Sequence, residues 1–428
     1  MQLPADFLRE TRKLMGETRF QRYMEAFEEE PPVSLRLNPL KAAHATVGGA
    51  TPVPWCHDGY YLNGRPNFTF DPLLHAGCYY VQEAASMFID HVLRQYVHQP
   101  VLMLDLCAAP GGKSTAARSA LPPGSMLVSN EPIRQRAQIL VENLQKWGHD
   151  GCIATNAYPE AFAKSRTLFD VVLCDVPCSG EGMFRKDEAT VGEWSLQHVE
   201  HCWQLQRDIV TQAWKCLADG GLMVYSTCTF NTRENEENVQ WMEQTLGAEL
   251  LPVDTDDAWG ITGSLLSGFE RPVYRFIPGI TRGEGLFVAV MRKPGNSESQ
   301  GSCLQSAANV LRGLPGMLYD GKPTPTQKGK DLVPPHAEAL ATDFDRSKYA
   351  MAPLSYEQAL SYLRREAIVL PPDVPRGYVA VSFLGMPLGF VKNIGNRANN
   401  LYPQEWRIRS THLPQAYQPI ITLSQKNP

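Results

Sequence analysis

The stretch VLMLDLCAAPGGKS, residues 101–114, decides the fold of this chain. It begins with an apolar run that predicts a buried strand ending at Asp105, and small residues with two adjacent glycines follow before Lys113. Small residues let the backbone turn sharply and approach a ligand closely, and the first N–H groups of the next helix point at that ligand. The stretch therefore predicts a strand, a cofactor loop and a helix, in that order.

Four further apolar runs lie on the C-terminal side of this loop. They span residues 126–130, 151–155, 169–175 and 221–226. Each run is continuously apolar instead of alternating, and segments with helical periodicity separate them, which is typical of a parallel sheet covered by helices on both faces. We therefore predict an α/β fold with a doubly wound, Rossmann-like core, closed by a hairpin pair at 271–277 and 285–291.

The cofactor loop lacks the two best-known phosphate-binding patterns. A P-loop would need glycine where this chain has Cys107, and the G-x-G-x-x-G spacing of dinucleotide enzymes is missing. Glu131, at the end of the second predicted strand, is placed to accept hydrogen bonds from the two hydroxyls of a ribose. Together with the loop, Glu131 favours an adenosyl cofactor.

Two cysteines each follow the end of an apolar run. Cys178 lies in DVPCSG, residues 175–180, and Cys228 lies fifty residues later in YSTCTF, residues 225–230. Because parallel strands end at one edge of a sheet, we expect both thiols beside the cofactor loop. A thiolate is a nucleophile, so the pair predicts covalent group transfer. Inert packing is the interpretation kept for Cys107, Cys152 and Cys174.

Composition and length limit the class of protein. The chain has 428 residues, of which 43% are hydrophobic and 20% charged, as in globular proteins of about two or three domains. We expect a cytoplasmic protein, because no apolar run approaches the roughly 18 residues of a membrane span and the N-terminus lacks signal-peptide features. The ten cysteines are scattered along the chain, which predicts reduced thiols. The sequence has no pair of C-x-x-C elements, so we do not predict a metal site.

The distribution of charge favours a nucleic-acid partner although the net charge is −5. Residues 361–428 contain eight basic and three acidic side chains, a local net charge of +5. The aromatic residues among these cations are Tyr378, Phe383, Phe390, Tyr402 and Trp406. Basic and aromatic side chains together bind single-stranded nucleic acid, whereas the alternative is an ordinary solvated face.

Shifts in pattern divide the chain into four predicted regions. They are an N-terminal α+β extension at 1–75, the core at 76–295, a connecting α+β region at 296–360 and a basic, mostly β region at 361–428. A stretch rich in Ser, Gly, Gln and Asn at 293–302 marks the end of the core. The core is predicted to open with a helix at 79–93.

Three motifs of this chain, in their order and spacing, resemble those of the RNA cytosine-C5 methyltransferases of the NOL1/NOP2/Sun family. They are residues 105–114, 175–180 and 225–230. SLRLNP at 34–39 and YYVQEAAS at 79–86 are similar to N-terminal elements of that family, so the resemblance covers about residues 30–293. The resemblance implies an S-adenosylmethionine-dependent methyltransferase that makes 5-methylcytosine in RNA.

Other segments are similar to the bacterial branch that modifies 16S ribosomal RNA. They are EGMFRKD at 181–187, GMPLGFVK at 385–392 and NLYP at 400–403. In that branch the tail is a PUA-like RNA-binding domain. The resemblance implies an enzyme that acts on 16S ribosomal RNA of the small subunit, and transfer RNA is the alternative substrate. We expect a monomer with no DNA partner.

The resemblance also implies roles for individual residues. Attack on the base is assigned to Cys228 and product release to Cys178. The family commonly has an acidic residue near the adenine where this chain has Asn156, whose side-chain carbonyl could accept from the adenine amine. The residues expected to hold the cofactor are Cys107, Ala108, Ala109, Pro110, Gly111, Gly112, Lys113, Glu131, Asn156 and Asp175.

The chemistry of cytosine explains why a thiol is needed. Its C5 atom is a poor nucleophile, but addition of a thiolate to C6 makes C5 enamine-like and able to accept a methyl group. A free thiol, with a pKa of roughly 8.5, is mostly protonated at neutral pH, and Lys113 could help electrostatically. Asp175 is expected to stabilise positive charge at N3, with Pro177 shaping the turn. The residues alone leave open which thiol attacks and which base removes the C5 proton.

Two other classes of protein remain as alternatives. An amino-group methyltransferase would carry a (D/N)-P-P-(Y/F) signature where this chain has DVPC at 175–178, and it would need no thiol. A non-catalytic ribosome-assembly factor could keep the fold without the chemistry. A thiol-dependent covalent adduct with RNA carrying 5-fluorocytosine separates both alternatives from a cytosine-C5 methyltransferase.

Overall fold

The computed structural model describes residues 2–295, 307–410 and 412–424. Its helices are α1 Ala5–Glu25, α2 Pro72–His75, α3 Phe88–Tyr96, α4 Gly112–Ala120, α5 Arg134–Trp147, α6 Pro159–Ser165, α7 Glu188–Glu193, α8 Leu196–Cys216, α9 Glu236–Trp241, α10 Ala307–Gly313, α11 His336–Leu340 and α12 Tyr356–Leu363. Among the residues described, no helix combines the length and the apolar character needed to cross a bilayer.

The strands belong to one large sheet and several small ones. They are β1 Ser34–Leu37, β2 Thr46–Val47, β3 Thr51–Pro52, β4 Gly59–Tyr61, β5 Tyr79–Val81, β6 Leu102–Asp105, β7 Met126–Asn130, β8 Cys152–Thr155, β9 Phe169–Asp175, β10 Leu217–Thr227, β11 Glu249–Leu250, β12 Tyr274–Phe276, β13 Leu286–Arg292, β14 Met317–Tyr319, β15 Thr326–Lys328, β16 Asp331–Val333, β17 Ala350–Pro353, β18 Gly377–Phe383, β19 Met386–Asn393, β20 Ala398–Asn400 and β21 Ile421–Thr422.

The central sheet has the doubly wound topology predicted from the apolar runs. Its order is β11-β13-β10-β9-β6-β7-β8-β14, with β12 paired to β13. The strands β10, β9, β6, β7 and β8 are parallel, whereas β13 runs antiparallel to both β10 and β12, as expected of a closing hairpin pair. The strand order reverses between β6 and β9, which is where such sheets open a ligand crevice.

The continuous apolar character of the strands results from burial on both faces of this sheet. Leu104 and Val172 pack into one hydrophobic cluster, and Met103 and Leu173 pack into another. Neighbouring residues of a strand point to opposite faces, so a strand with both faces covered needs apolar residues at every position. Six of the seven residues of β9 are buried, and five of these are apolar, with Asp170 as the exception.

The N-terminal region forms a sheet of its own, and it corrects one predicted helix. The order of this sheet is β3-β4-β1-β5. The segment 79–93, predicted to be helical throughout, begins as strand β5, in which Val81 pairs with Leu35 of β1, and the helix starts only at Phe88. Aromatic and β-branched residues suit a strand, and pairing with a strand more than forty residues away overrides the local helical pattern.

A buried arginine joins this N-terminal sheet to the core. Arg36 of β1 is 1% exposed, and its Nη2 atom donates to Thr115 Oγ1 at 2.7 Å and to the carbonyl oxygen of Gly112 at 3.5 Å. Its guanidinium group lies over the ring of Trp147, 4.5 Å from the centroid. The N-terminal region therefore fixes the first turn of α4, the helix that follows the cofactor loop.

The predicted limits of the connecting region do not match the packing. Strand β14, in the predicted connecting region, adds antiparallel to β8 and so extends the central sheet. The predicted boundary between 360 and 361 falls inside α12, and β17, the first strand of the C-terminal sheet β17-β18-β19-β20, lies before it. Strand pairing between distant segments sets these limits, and composition does not report it. The boundary predicted at 293–302 lies mostly outside the described residues.

The C-terminal sheet uses most of its aromatic residues for packing. Phe383, Phe390 and Tyr402 are 4%, 1% and 1% exposed, so the expectation that they form a stacking surface for bases is wrong. Buried aromatic side chains supply the apolar area that a small sheet needs for a core. Tyr378 and Trp406 are partly exposed.

Candidate active site

Polar side chains at the ends of three neighbouring strands lie at one edge of the central sheet. Asp105 ends β6, and Asp175 ends the neighbouring strand β9. Ser226, near the end of β10, is the register partner of Asp175. Because the three strands are parallel and adjacent, these side chains meet at the crevice where the strand order reverses.

The cofactor loop is shaped by glycine geometry and by hydrogen bonds to its backbone. Gly111 has φ of +112°, and a Cβ atom there would lie 3.2 Å from Leu140 Cδ1. The amide of Ala108 donates to the carbonyl of Asn130 at 2.8 Å, and Asn143 Nδ2 donates to the carbonyl of Pro110 at 2.7 Å. The loop is thus held open at the N-terminus of α4, whose first N–H groups lack partners within the helix.

Asp105 lies beneath this loop and was missed as a site residue by the sequence analysis. Its side chain is fully buried, its Oδ2 atom accepts from Ser114 Oγ at 2.6 Å, and its Oδ1 atom has no hydrogen-bond partner among the described residues. Burial raises the pKa of Asp105 to about 7. An unpaired buried acceptor suits the cationic amino group of an adenosyl cofactor. The position of Asp105 between the first predicted strand and the glycine loop is the sequence signal that could have identified it.

Glu131 and Asn156 form one braced corner at the ends of β7 and β8. Glu131 is 1% exposed, and its Oε1 atom accepts from the amide of Ile133 at 2.9 Å. Its Oε2 atom lies 3.4 Å from Arg136 Nη1. Asn156 Nδ2 donates to the carbonyls of Glu131 and Pro132 at 2.7 and 2.8 Å, so Oδ1 is the remaining polar atom of that side chain. The corner has acceptors that fit a ribose and an adenine amine.

Cys178 and Cys228 are in contact at the same edge. Their Sγ atoms lie 3.1 Å apart, and the amide of Cys228 donates to Cys178 Sγ at 3.3 Å. Both are free thiols, and both are partly exposed. The hydrogen bond to Cys228, and then burial, raise the pKa of Cys178 well above its usual value. The raised pKa favours the protonated form of Cys178, which can donate its S–H to the sulfur of Cys228.

Asp175 and Lys113 form an ion pair beside these thiols. Lys113 Nζ lies 2.9 Å from Asp175 Oδ2, and Ser226 Oγ donates to Asp175 Oδ1 at 2.8 Å. Burial lowers the pKa of Lys113, but the charges of Asp175 and Cys228 outweigh it, so the pKa is raised overall. Lys113 stays cationic, and the partly exposed carboxylate of Asp175 faces the crevice edge.

Contacts between the two cysteine loops also escaped the sequence analysis. The amide of Gly182 donates to the carbonyl of Cys228 at 2.8 Å. Glu181 Oε2 accepts from the amides of Phe230 and Asn231 at 2.7 and 2.9 Å. A Cβ atom on Gly182 would lie 2.6 Å from the Cα atom of Gly285, so only glycine allows this approach. The residues involved are far apart in sequence, and no local pattern pairs them.

Comparison with family models assigns most of the chain. Residues 92–292 match the model described as 16S rRNA methyltransferase RsmB/F. Residues 3–84 match the N-terminal domain of 16S rRNA methyltransferase RsmF, and residues 351–408 match the methyltransferase RsmF PUA domain.

Individual relatives match between about two thirds of the chain and nearly all of it. The ribosomal RNA small subunit methyltransferase F of Shigella dysenteriae serotype 1 (strain Sd197) is 29% identical over 94% of this chain and 96% of that protein. The protein of the same name from Pectobacterium atrosepticum is 32% identical over 69% of this chain and 63% of its own length. The one from Escherichia coli O139:H28 is 28% identical, over 94% and 96%.

Solved structures share the fold at lower identity. NSun6 from Pyrococcus horikoshii, solved with SFG, superposes with a TM-score of 0.57 at 19% identity, over 68% of this chain and 99% of that one. A methyltransferase homolog protein from Pyrococcus horikoshii gives 0.54 at 24% identity, over 68% and 100%. The family match confirms S-adenosylmethionine as the predicted cofactor. The chain belongs to the RsmB/F family of 16S rRNA methyltransferases.

Proposed function

We propose that this protein methylates C5 of a cytosine in RNA, and that its substrate is 16S ribosomal RNA. The observation that carries the proposal is the contact between Cys178 Sγ and Cys228 Sγ, 3.1 Å apart at the edge that also bears the cofactor loop. A methyltransferase acting on an amino group would need no thiol there. The ribosomal substrate is supported by the descriptions of the matching family and of its relatives.

The first step is addition of Cys228 to the base. Its thiolate forms a bond from Sγ to C6, and the electron pair of the C5–C6 double bond moves into the ring toward N3. Asp175, held at the edge by Lys113 and Ser226, stabilises the proton or positive charge at N3. The positive charge of Lys113 attracts the negative charge of that thiolate. Bound S-adenosylmethionine supplies the electrophilic methyl group that C5 then receives.

Product release reverses the thiol addition. A base removes the proton from C5, the electrons of that bond restore the C5–C6 double bond, and the bond from Sγ of Cys228 to C6 breaks. The departing sulfur leaves as a thiolate. Cys178, kept neutral by its hydrogen bond and by burial, donates its S–H to that thiolate and so favours release.

The residues proposed to hold the cofactor surround the loop at 107–113. The N–H groups at the start of α4 and the carboxylate of Asp105 would meet its charged amino-acid part, and Glu131 would accept from the ribose hydroxyls. Asn156 Oδ1 would accept from the adenine amine. The fit rests on the unpaired Oδ1 atom of Asp105 and on the open backbone at Gly111.

RNA binding is proposed for the two regions that flank the core. In the C-terminal unit the side chains of Arg376 and Arg397 are exposed, and both belong to the basic segment. Exposed cations neutralise phosphates, whereas the buried aromatic residues there support the sheet. We place the start of this unit before β17 instead of at residue 361.

Covalent trapping tests the proposed reaction. The purified protein, with S-adenosylmethionine, is incubated with 16S ribosomal RNA carrying 5-fluorocytosine, whose fluorine cannot leave as the C5 proton does. We expect a denaturation-resistant protein–RNA adduct that is lost in Cys228→Ala and kept in the control Cys216→Ala, a buried cysteine outside the site. An adduct that persists in Cys228→Ala, or a wild-type protein that forms none, would refute the proposal.

The substrate is tested separately by mapping 5-methylcytosine. Ribosomal and transfer RNA are compared from cells with and without this protein. We expect a modification to disappear from 16S ribosomal RNA. Loss only from transfer RNA would overturn the proposed substrate while leaving the chemistry intact.

A further inference from the structure

A buried carboxylate lies directly behind the two cysteine loops. Glu234, in the turn two residues before α9, is 0% exposed. Its Oε2 atom accepts from the amide of Ser179 at 3.0 Å and from Gln206 Nε2 at 2.6 Å, and its Oε1 atom accepts from Asn231 Nδ2 at 2.8 Å. All three donors are neutral, so the carboxylate is held by hydrogen bonds and not by an ion pair.

The contacts of Glu234 and Gln206 hold the residues on both sides of Cys178. Glu234 binds the amide of Ser179, the residue after Cys178, and Gln206 Nε2 also donates to the carbonyl of Pro177, the residue before it, at 2.9 Å. A peptide segment held at both ends has little freedom to move its side chain. The position of Cys178 Sγ therefore depends on Glu234 through two separate links.

The same carboxylate reaches the loop that carries Cys228. Asn231 Nδ2, which donates to Glu234, also lies 3.1 Å from Thr229 Oγ1, and Thr229 Oγ1 lies 2.8 Å from Ser179 Oγ. Glu234 thus connects the two turns whose sulfurs are in contact. Hydrogen bonds in a low-dielectric interior are stronger than in water and polarise one another, so this connection is stiff.

The charge of Glu234 also acts on the thiol. Burial, and then the charge of Glu181, raise the pKa of Glu234 to about 7. The pKa of Cys178 is raised first by its hydrogen bond to Cys228 and then by burial, and the charge of Glu234 adds to these causes. The carboxylate therefore favours the protonated thiol that the release step uses.

We propose that Glu234 is a positioning residue for product release, holding Cys178 Sγ against Cys228 Sγ while the bond to the base breaks. The proposal rests on the proposed function, because it needs a covalent intermediate to release. Glu234 itself does not touch the base. It acts through the turn from Pro177 to Ser179.

The test compares Glu234→Gln with Glu243→Gln, which makes the same change at a partly exposed carboxylate of the next helical segment, paired with Arg271. A glutamine has one acceptor oxygen and one amide group, so at position 234 it must lose the bond to Asn231 or the bonds to Ser179 and Gln206. With ordinary RNA and S-adenosylmethionine, we expect Glu234→Gln to lengthen the lifetime of the protein–RNA adduct by about tenfold, the order of one lost hydrogen bond to a charged group.

The readout is the amount of covalent adduct divided by the amount of active enzyme. A loss of folded protein would not raise this ratio. We expect kcat to fall and KM to change little, and we expect the initial rate of adduct formation with 5-fluorocytosine RNA to stay close to that of wild type. If Glu234→Gln fails to fold, Gln206→Ala removes the bonds from Gln206 to Pro177 and to Glu234 but keeps the carboxylate of Glu234, and it is expected to raise the adduct lifetime in the same direction.

Two results overturn the inference alone. The first is an adduct lifetime in Glu234→Gln or Gln206→Ala equal to that of Glu243→Gln, and the second is a fall in adduct formation and in release by the same factor. A wild-type protein that forms no thiol-dependent adduct would instead refute the proposed function, so the two failures are distinguishable.

Discussion

The amide of Cys228 donates a hydrogen bond to Cys178 Sγ at 3.3 Å, while the two Sγ atoms lie 3.1 Å apart. The backbone that places one sulfur therefore also orients the other. The hydrogen bond to Cys228, and then burial, raise the pKa of Cys178 and favour its protonated form. A protonated Cys178 fits the role in product release that is proposed for this thiol.

Replacement of Cys178 should trap the intermediate. In Cys178→Ala the departing thiolate loses its hydrogen-bond donor, so we expect the protein to accumulate as an adduct on ordinary RNA while single-turnover methyl transfer continues. The measurement is the fraction of protein that migrates with RNA under denaturing conditions. Turnover at the wild-type rate without any adduct would contradict the assignment of release to Cys178.

Neutralising Asp175 should lower kcat more than it lowers the affinity for S-adenosylmethionine. Asp175→Asn keeps the shape of the side chain but removes the negative charge that pairs with Lys113. We expect kcat to fall by about 100-fold or more, as for loss of a general acid–base or charge-stabilising group. Calorimetric titration with S-adenosylmethionine checks that affinity changes far less. Equal losses in kcat and affinity would show a binding role instead.

Cofactor affinity should depend on pH through Asp105, whose pKa is raised by burial to about 7. The cationic group of the ligand favours the ionised carboxylate of Asp105. Below pH 7, binding must therefore remove a proton from Asp105, whereas above pH 7 this carboxyl group is already ionised. We expect S-adenosylmethionine to bind about tenfold more tightly at pH 8 than at pH 6, and Asp105→Asn to bind weakly at both. An equally steep pH dependence in Asp105→Asn would assign it to another group.

The same carboxyl should make the cofactor-free protein less stable as pH rises. A group whose folded pKa lies above its ordinary value stabilises the fold at low pH, and that contribution disappears as pH rises through the folded value. For Asp105 the window runs from about 4 to about 7. Thermal unfolding of wild type and Asp105→Asn across this range is the check, and parallel curves would count against the effect.

The cofactor loop should not tolerate a side chain at Gly111. Gly111 has a positive φ, and an alanine in this conformation strains the backbone by about 1–2 kcal/mol. The added Cβ atom would also lie only 3.2 Å from Leu140 Cδ1. We expect a lower Tm and weaker S-adenosylmethionine binding. Gly192→Ala, in α7 with open space around the added methyl group, is the matched control. Wild-type cofactor affinity in Gly111→Ala would exclude a close approach of this backbone.

Charge reversal should test RNA binding better than truncation does. Deletion of 361–428 would cut α12 and expose the core of the C-terminal sheet, whereas Arg376→Glu with Arg397→Glu changes only exposed side chains. We expect weaker binding to 16S ribosomal RNA and a shallower salt dependence, by about one unit of slope per lost contact. Lys215→Glu, on α8, should have little effect. An unchanged affinity at physiological salt would remove these residues from the interface.

The sequence by itself determined the parallel strands of the core and the order of the motifs, and it predicted a chemistry for the site. Continuous apolar runs specify strands buried on both faces, and residues 107–113 specify a loop for a cofactor, because these properties depend on neighbours within a few residues. The two thiols could be assigned to one edge, since parallel strands end together. The sequence could not show that the two sulfurs are in contact.

Only the tertiary structure decided what depends on distant contacts. Val81 became part of a strand by pairing with Leu35, and Phe390 became core where a surface for bases was expected. The carboxylate of Glu234 was placed behind Cys178, fifty-six residues away along the chain. A local sequence pattern indicates which side chains can be buried. The partner that each of them contacts depends on the packing of the whole chain, because folding minimises unpaired polar groups and exposed apolar area together.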